Sequence, residues 1–108
     1  MTHALFICSR NRLRSPTAEQ VFSHWPNVET DSAGLSADAE RPLEREQIAW
    51  ATIIFVMEKR HKSILTQKFG DALRGKRVIC LDIPDNYAFM QTELIELLKI
   101  KVSEFLRS

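Results

Sequence analysis

The chain has 108 residues, enough for one compact domain and too few for two. With 44% hydrophobic and 27% charged residues, three Gly and four Pro, its composition is that of a folded globule and excludes disordered, collagen-like and low-complexity chains. Fifteen Lys and Arg against fourteen Asp and Glu leave a formal charge of +1, so bulk charge draws it to neither nucleic acid nor membrane. No apolar run approaches the ~20 residues of a membrane span, and residues 1–13 lack the layout of a secretory signal. Two Cys make no disulfide framework, so a reducing cytoplasm is the expected compartment.

The run His3-Ala4-Leu5-Phe6-Ile7-Cys8 is too short for a helix and suits a strand buried on both faces. Ser15 as cap and Pro16 in the first turn signal a helix start. Ala18, Val21, Phe22 and Trp25 continue it as one apolar stripe that Pro26 ends. Val28 to Ser32 reads as a second strand closing at Ala33-Gly34, and a short helix is expected from about Leu43 to Trp50. Thr52 to Met57 is β-branched and uncharged, the clearest buried strand of the chain. A helix from Lys59 to about Phe69, a strand from Arg77 to Leu81, a loop from Asp82 to Tyr87 and a closing helix from about Gln91 to Leu106 complete the series. Trp25 and Trp50 are expected in the core.

Strands alternating with helices imply a parallel sheet wrapped on both faces, in one domain spanning residues 1–108. A three-layer α/β/α fold with a four-stranded sheet in the order 2-1-3-4 is the expected architecture. Ligands of such sheets bind beyond the carboxyl ends of the strands. The loops after Cys8, Ser32, Met57 and Leu81 are therefore where chemistry is expected.

Cys8, five residues and Arg14 (a CX5R spacing) join the end of a strand to the start of a helix. A loop there can curl its N–H groups around a tetrahedral anion at the positive end of the helix. The same groups, with Arg14, favour Cys8 as a thiolate nucleophile. Arg10, Arg12 and Arg14 crowd a helix N-terminus where cations are unfavourable, and the loop itself has no acid to offset them, whereas a bound anion would.

The run Cys8 to Pro16, followed by Thr17 to Phe22, resembles the phosphate-binding loop and first helix of the low-molecular-weight protein tyrosine phosphatases. Asp31-Ser32-Ala33-Gly34, Ile53 to Met57 and Asp82 to Tyr87 are similar to later segments of that family, in the same order. The resemblance implies Cys8 as nucleophile and Arg14 as the side chain holding the phosphoryl oxygens. The phosphate would be bound by the loop residues Ser9, Arg10, Asn11, Arg12, Leu13 and Ser15. Within that set, Asn11 would support the loop and Ser15 would hydrogen-bond the thiolate. Asp82 and Asp85 both qualify as proton donor to the leaving oxygen; the resemblance favours Asp85.

The chain departs from the family pattern at several points. Arg10 stands at a glycine position, Arg12 at an apolar one, Leu13 replaces a second cysteine and Asn86 replaces a proline. Length is missing after Gly34, where the family walls its substrate cleft. A more open, more positive cleft is expected, with Arg10 and Arg12 selecting substrates that carry negative charge beyond the phosphate.

The expected function is a phosphatase acting through a phosphocysteine on a phosphorylated protein or a small phosphomonoester, with no metal or cofactor. Thiol-dependent arsenate reduction, a phosphocysteine carrier and a binding module without turnover are the rivals, and the first would need Cys80 as partner thiol. Cys80 reads as an inert buried strand residue. His3, His24 and His61 share no metal-ligand spacing and are expected at surface or edge positions. Tyr87 either lines the cleft or packs the closing helix. Lys59-Arg60-His61-Lys62 is read as a solvated helix start, or else as help for an anionic substrate.

Overall fold

The computed structural model describes residues 1–106. Four strands, β1 (Thr2–Cys8), β2 (Val28–Gly34), β3 (Ile53–Val56) and β4 (Arg77–Cys80), form one parallel sheet in the order β2-β1-β3-β4. Helices α1 (Arg14–Phe22), α2 (Arg45–Trp50), α3 (Lys59–Phe69) and α4 (Thr92–Leu106) connect or follow them. The expected fold class and strand order are those observed.

β1 is buried on both faces, and its alternation divides the core. Ala4, Phe6 and Cys8 pack with Ala18 and Phe22 of α1 and with Leu94, Leu98 and Val102 of α4. Leu5 and Ile7 face the opposite layer, with Ile48 of α2 and Leu65 of α3. The chain leaves β1 toward β2, then crosses back to β3 on the other side of β1. The carboxyl ends of β1 and β3 thus border the crevice that this reversal opens.

Two helix boundaries differ from expectation, and at each a side-chain or backbone group has a partner outside the helix. α1 begins at Arg14 without a side-chain cap, since the Ser15 hydroxyl is bonded to Cys8 Sγ and Asn11 Nδ2. Pro16 still sits in the first turn, where its missing N–H costs nothing. The helix ends at Phe22, and Trp25, half-buried beyond it, packs edge-on against Phe22. α2 begins at Arg45 rather than Leu43, because Leu43 N–H is taken by Gly34 O. Glu44 caps the helix, its N–H donating to Gln47 Oε1.

Trp50 is half-buried rather than in the core, stacked on His3 at 4.7 Å. His3 lies at the sheet margin, as expected, beside Glu29. Cys80 is half-buried because β4 is an edge strand.

Gly34 ends β2 directly beneath the turn after β1. A Cβ there would lie 2.5 Å from Ala39 Cβ and 2.7 Å from Ser9 O, both closer than real contacts allow. Gly34→Ala is expected to lower unfolding stability by ~1–3 kcal/mol by forcing the two segments apart. A shift of the urea midpoint at unchanged m-value checks this; an unchanged midpoint would show that the segments separate freely.

Candidate active site

The turn from Cys8 to Arg14 lies at the crevice and owes its shape to the segment after Gly34. Leu35, Ser36 and Glu40 donate their N–H groups to the carbonyls of Cys8, Ser9 and Arg10, at 3.0, 2.9 and 3.0 Å. A trans peptide directs its N–H opposite to its C=O. Tying these carbonyls back turns the N–H groups of Ser9, Arg10 and Asn11 the other way. Asn11 adopts φ +56°, a left-handed conformation that Asn tolerates better than most residues, and its N–H meets Cys8 Sγ at 3.3 Å.

A buried chain of hydrogen bonds fixes the sulfur. Ser32 Oγ donates to Glu19 Oε1, and the two Asn11 Nδ2 hydrogens go to Ser32 Oγ and Ser15 Oγ, each at 2.9 Å. Ser15, already accepting from Asn11, has its proton left for Cys8 Sγ at 2.9 Å. The sulfur therefore faces two donors. α1 starts at the same point with no acidic side chain in its first turn, so its positive end adds to them.

Arg14 is 2% exposed. Its Nη1 donates to Glu58 Oε2 at 2.6 Å and to Ile83 O at 2.7 Å, while Nε lies 3.7 Å from Asp85 Oδ1. One end of the guanidinium is held, and the Nε edge is left at the cleft beside Asp85. Arg60 bonds both Glu58 oxygens, and that contact, with Arg14, holds the Glu58 carboxyl near 2, well below the usual carboxylate range.

Ile83 reaches Arg14 because the chain runs on along β3, with Leu81 and Ile83 donating to Val56 O and Met57 O. Leu81 and Ile83 point inward, so Asp82 between them turns out to solvent, at φ +53° and near the Cys80 thiol. Asp85, with a 56% exposed side chain, lines the cleft; Asp82 does not. Tyr87 packs, partly buried, against the core layer shared with α4 and is not among the residues lining the cleft.

The cleft measures about 620 Å³ and includes Cys8, Ser9, Arg10, Arg12, Leu13 and Arg14 of the turn. Leu35 and Ser36 supply a wall from the short segment after Gly34, and α3 supplies the facing one. Arg10 and Arg12 are half-exposed and face Asp38 at 3.9 Å and Glu40 at 3.5 Å. Ser36 and Arg10 together hold the Asp38 carboxyl below its ordinary range. The loop itself holds no acid to offset these arginines, and acids from outside it, Asp38 and Glu40, fold against Arg10 and Arg12.

His61 is the largest departure from expectation. Placed at the surface by its charged neighbours, it is 0% exposed. Glu58 caps α3, and His61, three residues on, bends back so that Nδ1 accepts the Glu58 N–H at 3.1 Å. The neutral ring therefore carries its proton on Nε2, which donates to Ser9 Oγ at 3.0 Å. Glu58 and His61 were not singled out as site residues. Their signal was an acid immediately after the third strand with a side-chain partner at the third helical position.

Burial pushes His61 down to about 4, with the Arg14 guanidinium acting in the same direction and the Glu58 carboxylate against it. The unfolded chain binds a proton near the ordinary value of 6.5 that the folded ring refuses. Stability present in full above pH 6.5 is therefore lost as the pH falls toward 4, by at most about 3 kcal/mol. Denaturant unfolding between pH 7 and 4 should show this decline, and His61→Gln should flatten it. An imidazolium signal for His61 at pH 5.5 by NMR would contradict it.

A family model described as low molecular weight phosphotyrosine protein phosphatase matches residues 3–52. A protein-arginine-phosphatase of Geobacillus stearothermophilus is 28% identical, over 63% of this chain and 62% of that protein, so the match spans less than two thirds of the relative. The YwlE arginine phosphatase structure from Geobacillus stearothermophilus superposes with a TM-score of 0.78 at 24% identity, covering 98% of this chain and 93% of the other. Vibrio vulnificus Wzb, solved with benzylphosphonate, gives 0.78 at 25% identity over 96% of each chain. These matches show that the chain is similar in sequence to the low molecular weight phosphotyrosine protein phosphatases over residues 3–52 and that it has their fold over nearly its whole length.

Proposed function

We propose that this protein is a cysteine-dependent phosphomonoesterase working through a phosphocysteine, in a reducing cytoplasm where the Cys8 thiol persists. One observation carries the reading: Cys8 Sγ faces the Asn11 N–H and the Ser15 hydroxyl beside a buried arginine whose open edge meets Asp85 at the cleft. The Cys8 thiolate attacks phosphorus in line, and the sulfur–phosphorus bond forms as the bond to the leaving oxygen breaks. Asp85 gives that oxygen its proton. As carboxylate, Asp85 then takes a proton from the water that attacks the phosphocysteine, releasing phosphate and the thiolate. The inward N–H groups and the Nε edge of Arg14 bind the three equatorial oxygens, whose charge is greatest in the transition state.

Arsenate reduction is disfavoured by the position of the second thiol. Cys8 packs in the core layer of α1 and α4, whereas Cys80 packs against the layer of α2 and α3. β3 lies between their strands. Two strand spacings are about 10 Å, beyond the ~7 Å that a disulfide spans between Cα atoms.

Cys8→Ser should abolish release of p-nitrophenol from p-nitrophenyl phosphate while leaving vanadate binding largely intact. A variant that keeps most of the turnover would falsify the mechanism. Asp85→Asn should lower kcat by ~10²-fold or more, and by more for a poorer leaving group. Asp82→Asn should leave kcat nearly unchanged, and the reverse pattern would move the acid to Asp82.

A further inference from the structure

Resting on the phosphatase reading of the Cys8 turn, we propose that Lys68 of α3 forms a second anion site in the cleft. The substrate is then a phosphomonoester bearing another anionic group on the order of 10 Å from phosphorus.

The cleft holds five cations, Arg10, Arg12, Arg14, Arg60 and Lys68, against the single carboxylate of Asp85. Four of the five are paired with an acid. Arg10 faces Asp38, Arg12 faces Glu40, and Arg14 and Arg60 share Glu58. Among the described residues Lys68 has no carboxylate within ion-pair distance. Its one hydrogen bond is a long one, 3.5 Å, to Leu35 O at the edge of the cleft. Its charge is therefore the one at the cleft not already neutralised by the fold.

Arg60, Ile64 and Lys68 recur every fourth residue, so α3 presents them as one row along the cleft wall. Arg60 sits at the Arg14 end through their common partner Glu58. Lys68 lies about 12 Å further along the helix. A phosphate at the Cys8 turn leaves most of the cleft empty, for about 620 Å³ is the size of a site for a whole small molecule. The remaining wall is Ile64, Leu13, Leu35 and Ser36, with no aromatic ring on which an aryl leaving group would stack. An aliphatic linker over Ile64 ending in an anion at Lys68 matches that surface. The sequence pointed to Arg10 and Arg12 as the source of selectivity, but their acidic partners shift the role to Lys68.

Calorimetric binding of hexane bisphosphonate and of hexylphosphonate reads the site without turnover. The bisphosphonate should bind about threefold to fivefold more tightly at low salt, as one exposed ion pair gives, and the gap should close in half-molar sodium chloride. Lys68→Gln should close the gap. Lys62→Gln, which alters an exposed lysine outside the cleft lining, should preserve it. Hydrolysis of hexanediol bisphosphate against hexyl phosphate, and of phosphopeptides with Glu or Gln beside the phosphorylated residue, then tells a small-molecule from a protein source of the second anion. Equal binding of the two phosphonates, or a gap that survives Lys68→Gln, overturns the proposal. A phosphonate gap in a protein that hydrolyses none of these esters sustains the anion site and sinks the phosphatase reading instead.

Discussion

Three backbone hydrogen bonds, from Leu35, Ser36 and Glu40 to the carbonyls of Cys8, Ser9 and Arg10, set the direction in which the turn after β1 presents its amides. Without them the planar peptides after Cys8 could turn either edge to the cleft. With them the carbonyl edge is spent on protein, and the N–H edge is what an anion meets. The close approach of Ser9 O and Ala39 to Gly34 explains why the residue beneath has no side chain. The segment after β2 is thus both a wall of the cleft and the backing of the turn.

Arg14 is the second constraint. A guanidinium buried to this degree is costly unless its donors are used, and Glu58 and the Ile83 carbonyl use those on Nη1. These partners come from the ends of β3 and β4, while Arg14 itself follows β1. One side chain therefore ties the carboxyl ends of three strands together. Glu58 has a further part, since its backbone N–H fixes the His61 ring and thereby points a proton at Ser9. With the His61 proton accepted, the Ser9 hydroxyl is left to donate toward the cleft.

Charge at the cleft is distributed by tertiary contact more than by local sequence. Arg10, Arg12 and Arg14 stand within one turn of chain, yet each meets a different carboxylate, on Asp38, Glu40 and Glu58 respectively. A count of basic residues in the turn therefore overstates the field there. Among the described residues, the cation of the cleft lining without a carboxylate partner is Lys68 of α3, which neither its spacing nor its neighbours mark in the sequence.

The sequence by itself determined the alternating elements of a parallel sheet and set Cys8 and Arg14 in one short turn. Buried strands and amphipathic helices are written in local apolar periods, and the CX5R turn occupies one stretch of chain. Asp82 and Asp85 are alike in the sequence, and the fold gives them different places: pairing along β3 alternates the side chains of residues 81–83, turning Asp82 outward, while Asp85 lies at Arg14. Only tertiary structure revealed that Glu58 anchors Arg14, that His61 is buried, and that Asp38 and Glu40 neutralise the arginines of the turn. It also moved the start of α1, because the Ser15 hydroxyl that could cap the helix is bonded to Cys8 Sγ. Periodicity reports which face of an element is apolar, but not which polar groups from distant segments will meet. Those meetings are decided when buried donors and charges must each find a partner across the carboxyl ends of the strands.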